Sequence, residues 1–234
     1  MKVKLSMQRS IQKRFFKVHS KLVIGNGLIG GAIGGMAMAM FLMIYMAAAG
    51  MGFYSPLNIG LGSLFYTVTP PKSMLSMLTN AMGNHASPAM MAQMMSIKSG
   101  SATNRTVTSL MKAMPSGIRN TVMSSMPINA SHIIVGAVAH LAFSMMLGVI
   151  LALGYSIIKQ YSFLPKQNRS ALIAGSTLVS ILVFLVNEYV ILPIIAPMMT
   201  VLPAFPFLVA HIIFGLITGM VLTFRFAGSD KLSK

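Results

Sequence analysis

Residues 132–157 read HIIVGAVAHLAFSMMLGVILALGYSI, 26 residues without a Lys, Arg, Asp or Glu, with His140 set inside the apolar run. A hydrocarbon core of about 30 Å is crossed by roughly 20 apolar residues in a helix. Inside lipid the backbone polar groups must find partners within the segment, so this stretch predicts a membrane-spanning helix. Three more runs of the same kind lie at 22–50, 170–192 and 203–224. The first ends in Ala47, Ala48 and Ala49, which resemble a signal-peptide cleavage site. Its apolar run far exceeds the ~7–15 residues of a signal peptide, so a retained first span is expected.

The composition agrees. Of 234 residues 55% are hydrophobic and 9% charged, against about 25% charged in a soluble domain. Eighteen Lys and Arg face two acids, Glu188 and Asp230, and there is no cysteine. That composition excludes a paired-carboxylate hydrolase, a cysteine nucleophile, disulfides and thiolate metal sites. Glycines 25 to 35 contain a G-x-G but lack the strand–helix setting of a dinucleotide site. No enzyme is expected.

Charge placement gives topology. Lys2, Lys4, Arg9, Lys13, Arg14, Lys17 and Lys21 crowd a basic tail, 1–21, directly before the first span. Such a tail is suited to anionic lipid headgroups and fixes orientation; nucleic acid is not the expected partner. An organellar presequence shares this acid-free, Ser-bearing composition. Lys159, Lys166 and Arg169 lie in the loop 158–169, no charge lies in 193–202, and Arg225, Lys231 and Lys234 fall in the tail 225–234. The positive-inside rule then predicts both termini on the cytoplasmic side, and the membrane is expected to be a bacterial or archaeal cytoplasmic membrane. The long segment 51–131 falls outside; its five basic residues do not oppose this, because long segments translocate largely regardless of charge.

That outer segment is rich in Met, Ser, Asn and Pro and predicts short amphipathic helices at the headgroup level, with disorder as the rival. Ser73 to Gly83, Ser87-Pro88 to Gly100, and Val107 to Met114 before Pro115 have the required punctuation. Asn104-Arg105-Thr106 and Asn129-Ala130-Ser131 fit glycosylation acceptors.

An internal repeat relates the second and fourth spans. Ala139-His140, Phe143, Ser144, Gly148 and Leu151 match Ala210-His211, Phe214, Gly215, Gly219 and Leu222 at one offset. A weaker echo sets Leu28-Ile29-Gly30-Gly31 beside Leu172-Ile173-Ala174-Gly175, and Tyr45 beside Tyr189. The expected fold is an all-α integral membrane protein of four transmembrane helices in two pseudo-repeated hairpins. Gly27, Gly31 and Gly35, with Ser144, Gly148, Gly215 and Gly219, are the expected close-packing positions. Small residues let helices approach closely in lipid, within one chain or at a homo-oligomer or membrane-complex interface.

Ionisable groups inside hydrocarbon are costly, so each needs a reason. His140, Glu188 and His211 stand out, and Asn187, Tyr189 and, through the repeat, Tyr45 complete a candidate polar cluster in the outer half of the spans. Three chemistries share these residues: interhelical hydrogen bonding, proton handling, and divalent metal binding by two imidazoles and a carboxylate.

Methionine is the second anomaly, at 24 residues. Thioethers are soft ligands suited to Cu(I), and they are also adaptable apolar filler. Met74 and Met77, Met91 and Met94, and Met123 and Met126 repeat an M-x-x-M spacing, with His85 between the first two pairs; Met36, Met40 and Met43 share a face of the first span. The candidate metal ligands are therefore His140, His211 and Glu188, or Met74, Met77, His85, Met91 and Met94.

From the second span onward, His140, Gly154-Tyr155, Pro165-Lys166, Leu172-Ile173-Ala174-Gly175 and His211 give a layout that resembles uncharacterised four-helix bacterial inner-membrane proteins of the YagU type. That resemblance implies a polytopic inner-membrane protein connected with acid resistance, without an assigned reaction; the Met-rich outer segment departs from it. The expected function is assistance to ion, proton or small-solute movement through the His/Glu cluster. The alternatives are a Cu(I)-handling membrane protein and a structural subunit of a membrane complex.

Overall fold

A computed structural model of the chain describes residues 2–60, 88–98, 104–126, 128–160 and 169–232. These are almost wholly helical, and no strand occurs among them. Helix α1 runs Lys2–Ala48, α2 Pro88–Lys98, α3 Asn104–Ala113, α4 Ser116–Ser125, α5 Ala130–Gln160, α6 Arg169–Val186, α7 Leu192–Ile195 and α8 Ala204–Leu232. Four helical stretches are long and apolar enough to cross a membrane: Lys21–Ala48, Ala130–Ile157, Arg169–Ile195 and Ala204–Arg225. They fall within three residues of the predicted spans at every end. Helix α1 begins well before its span, because residues 2–24 contain no Gly or Pro to stop it. The helix expected over Ser73 to Gly83 lies outside the described residues.

Helix α1 ends where the triple alanine meets Gly50, whose φ of 72° terminates the helix. The Met51 N–H bonds the Met46 carbonyl at 2.9 Å and the Gly50 N–H that of Ala47 at 3.1 Å. This is the paired closure of a left-handed C-terminal cap, sealed by the buried side chains of Met46 and Met51. At the start of α5 the Asn129 side chain accepts the N–H groups of Ser131 at 3.0 Å and His132 at 3.4 Å. The carbonyl oxygen of the Asn129 amide, one of the two expected glycosylation acceptors, is thus engaged as a helix cap.

The chain divides into two compact units: Met1–Ala37, Leu141–Ser180 and Ile212–Lys234 form the first, Met38–His140 and Ile181–His211 the second. In the first, small residues set the spacing. A Cβ on Gly31 would run into the Ser144 carbonyl oxygen, and one on Gly148 into that of Gly27, so α1 and α5 touch backbone to backbone. On α8, a Cβ at Gly215 would stand 2.6 Å from Thr177 Cα, and one at Gly219 3.0 Å from Ile173 Cα. The positions matched by the repeat, 144 with 215 and 148 with 219, therefore each carry a span against the one that precedes it. The correspondence is not perfect: the offset aligning Leu28 with Leu172 would set Gly215 on Gly175, and the contact falls on Ser176 and Thr177. A third seam joins α1 to α8, where Gly34 faces Phe214 and Thr218, and the Thr218 hydroxyl donates to the Gly30 carbonyl at 3.2 Å. Gly35 is buried as well. Val23, Ala152 and Leu222 form an apolar cluster, with Leu151, Tyr155 and Leu172 against it.

The second unit has a different core. Among the described residues ten buried methionines, Met38, Met46, Met51, Met94, Met111, Met114, Met123, Met126, Met198 and Met199, all belong to it. Helix α3 buries Val107, Leu110 and Met111 and packs on a 3₁₀ turn, Pro197–Val201, that joins the last two spans. The Thr108 hydroxyl meets the Met198 sulfur at 3.2 Å. Helix α2 packs on α3, and the turn Pro56–Gly60 on the same 3₁₀ turn. The described part of 51–131 is thus held by protein contacts, with methionine supplying shape where the elements are short and irregular.

Candidate functional site

The polar residues of the third span sit in a local departure from α-helix. After α6 the chain makes a π turn, Asn187–Ile191, in which the Leu192 N–H bonds the Asn187 carbonyl five residues back. Pro193 explains it: the ring has no N–H for the Tyr189 carbonyl and collides with it in a regular helix, and a widened turn relieves the clash. The underwound turn leaves both Asn187 and Glu188 half-buried, while Tyr189 is 68% exposed.

One turn earlier Phe184, buried, organises the neighbours. Its ring meets that of Tyr189 at 6.4 Å and that of His211 at 5.4 Å, both edge-on. His211 is buried, and its Nδ1 lies 2.8 Å from the Phe207 carbonyl oxygen, one turn back on α8. A carbonyl only accepts, so this contact assigns the proton of the neutral ring to Nδ1 and leaves Nε2 as the basic nitrogen. His140, half-buried on α5, is close enough for the two imidazoles to act on each other through charge. The charge of Lys112, on the exposed side of α3, acts in the same way on Glu188.

The structure therefore links His211 through Phe184 to Tyr189, with His140 within electrostatic range of His211 and Lys112 within electrostatic range of Glu188. Other expected members do not join. Tyr45 stacks on Phe41 of its own helix at 6.4 Å and makes no polar or ring interaction with the cluster among the described residues. Asn187 makes no side-chain hydrogen bond among them either.

The metal expectation is corrected by the geometry. Among the described residues no three His, Cys, Asp or Glu side chains gather so as to hold an ion, so His140, His211 and Glu188 do not make a three-ligand centre. The carboxylate stands on the widened turn Asn187–Ile191. Met74, Met77 and His85 lie outside the described residues. Met94 is buried in the core while Met91 is exposed, so that pair divides between two environments. Met123 and Met126 are core residues; Met36 and Met40 are exposed on α1.

Sequence reasoning missed Phe184, Lys112 and the backbone of Phe207. Phe184 was recoverable, since it precedes Glu188 by four residues and so shares its helix face. Pro193 likewise announced a disturbed turn. Lys112 carried no such signal, because it lies on α3, far from Glu188 in sequence. No protein-family model, curated protein or solved structure matches the chain.

Proposed function

We propose that this polytopic membrane protein assists proton movement, alone or coupled to an ion or small solute, with His140 and His211 as the proton-handling pair. The observation that carries the reading is the His211 ring: buried, tied through Nδ1 to the Phe207 carbonyl, and within charge reach of a second imidazole. A fixed neutral tautomer offers Nε2 as proton acceptor, and imidazole is the side chain whose ordinary titration range spans neutrality. His140 then receives or supplies the proton, and Phe184 holds the His211 ring in place. Glu188, within electrostatic range of Lys112, stands on the widened turn of the third span. None of these residues is assigned a catalytic role. The resemblance to YagU-type inner-membrane proteins, connected with acid resistance, agrees with this reading and with a cytoplasmic membrane holding both termini inside.

The methionines bear differently on Cu(I) handling, because every described buried one fills the core of the second unit. The glycine faces bear likewise on a structural subunit, because Gly27, Gly31, Gly148, Gly215 and Gly219 are already occupied by the chain's own helices.

The test is proton flux into liposomes containing the purified protein, read by an internal pH dye under an imposed gradient. The expected result is flux above empty liposomes that falls about 100-fold or more in His211→Ala, the lower end of what a proton-transfer group contributes. Flux equal in the native protein, in His140→Ala and in His211→Ala would remove the pair from the mechanism.

A further inference from the structure

One polar residue interrupts an exposed apolar stripe of α1. Leu22, Asn26, Ile29 and Ile33 follow the spacing of a single helix face. The three apolar members are 41%, 37% and 39% exposed, whereas Asn26 is 5% exposed. Arg225 reaches it from α8: its guanidinium donates to the Asn26 side-chain oxygen at 3.3 Å, across 199 positions of sequence. The two meet at the edge of the α1–α8 seam, where Gly30 and Gly34 face Leu222, Thr218 and Phe214, and both belong to the first unit. Arg225 is itself exposed, so the pair presents a cation to the surroundings of the helices.

The level of this cation follows from the spans. Arg225 is the last residue of the stretch Ala204–Arg225, and a span ends where hydrocarbon gives way to headgroups. Going deeper along the same seam, Ile29 and Ile33 on α1 and Met220 and Phe224 on α8 are exposed apolar side chains. A lipid whose phosphate meets the guanidinium therefore has apolar surface for its chains on both helices. Guanidinium matches phosphate oxygens through its planar fork of donors, and an Arg held by a neighbouring oxygen has less freedom to lose on binding. The local charge favours an anionic headgroup over a zwitterionic one. Of the chain's two acids, Glu188 lies in the second unit, and Asp230 lies five residues beyond Arg225, roughly 7.5 Å further along α8.

We infer that Arg225, positioned by Asn26, binds the headgroup phosphate of an anionic glycerophospholipid whose chains lie against Ile29, Ile33, Met220 and Phe224. This site stands on the helix pair α1–α8, apart from the basic tail 1–21, and does not depend on the function proposed for the imidazole pair of the second unit.

The experiment is native mass spectrometry of the full chain released from nanodiscs holding equal amounts of phosphatidylglycerol and phosphatidylcholine. The native protein should retain the glycerol lipid over the choline lipid by about tenfold, the scale of one charge-assisted contact. Arg225→Gln should lose that preference. Asn26→Leu, which leaves the net charge unchanged, should lower it, because the guanidinium is no longer held. Lys21→Gln removes one charge from an exposed residue at the start of the first span and should keep about half of the preference or more, since surface attraction is shared among many cations. Equal preference in the native protein and Arg225→Gln, or an equal loss in Lys21→Gln and Arg225→Gln, overturns the site and leaves only the general attraction of a basic chain. Preference unchanged in Asn26→Leu overturns the positioning role. Melting temperature in one detergent checks folding: Arg225→Gln keeps an N–H able to reach Asn26, so it and Lys21→Gln should melt as the native protein does, and their contrast decides the site even if Asn26→Leu is unstable.

Discussion

At the scale of single residues, the fold depends on where a methyl group has room. Gly31 and Gly25 lie on the same helix, yet a Cβ on Gly31 meets the Ser144 backbone and one on Gly25 meets nothing within 4 Å. Gly31→Ala should therefore destabilise by about 1–3 kcal/mol, the cost of forcing atoms into a filled contact. Gly25→Ala should be neutral or gain up to about 1 kcal/mol from helix propensity. Thermal unfolding in one detergent checks both; equal effects would mean that the α1–α5 seam is looser than described. The four-residue spacing of Gly27, Gly31 and Gly35 announced that seam from sequence, because small residues at helical spacing have few other uses in lipid. The fate of the methionines was not legible in the same way. A thioether that fills a core and one that binds a soft metal look alike in sequence, and only the burial of Met111, Met123 and Met198 separates them.

At the scale of elements, the third span shows how one residue redirects a helix. Its apolar run was plain from sequence, and so was the presence of Asn187 and Glu188 near its end. Their shared inward turn was not, because it is a response of the backbone to Pro193. Pro193→Ala should let the π turn close into α-helix, with residue 193 donating to the Tyr189 carbonyl. Residues 192–195 would then rotate by about one residue, roughly 100°. Slower amide exchange at Leu192 and a changed labelling pattern of cysteines at Ile194 and Ile195 would report it; an unchanged pattern would assign the π turn to some cause other than the proline. The echo between the first and third spans proved a weaker guide than that between the second and fourth. It drew Tyr45 into the polar cluster, whereas Tyr45 stacks on Phe41.

At the scale of the whole chain, what was legible was what local pattern fixes: four apolar stretches, their glycines, and the alternation of charge between their flanks. What was hidden depends on contacts far apart in sequence. Thr108 meets Met198 and Asn58 meets Asn129, and such pairings leave no periodic trace. They nevertheless help hold the described part of 51–131 in the second unit. The proposed arrangement of inner and outer loops has a direct test, since the native chain holds no cysteine. Single cysteines at Ser116 and Ser162 should react with an impermeant maleimide from opposite sides of sealed vesicles; reaction from one side alone would contradict the four-span topology.

The claim on which the functional account turns is that His140 and His211 form one coupled pair, with the His211 proton held at Nδ1. Nitrogen-15 NMR of histidine-labelled protein in nanodiscs reads this directly, because protonated and bare ring nitrogens resonate far apart. The account predicts a neutral His211 protonated at Nδ1, and a His211 titration that moves when His140 is replaced by Gln. A neutral ring protonated at Nε2, or a titration indifferent to that replacement, would contradict it.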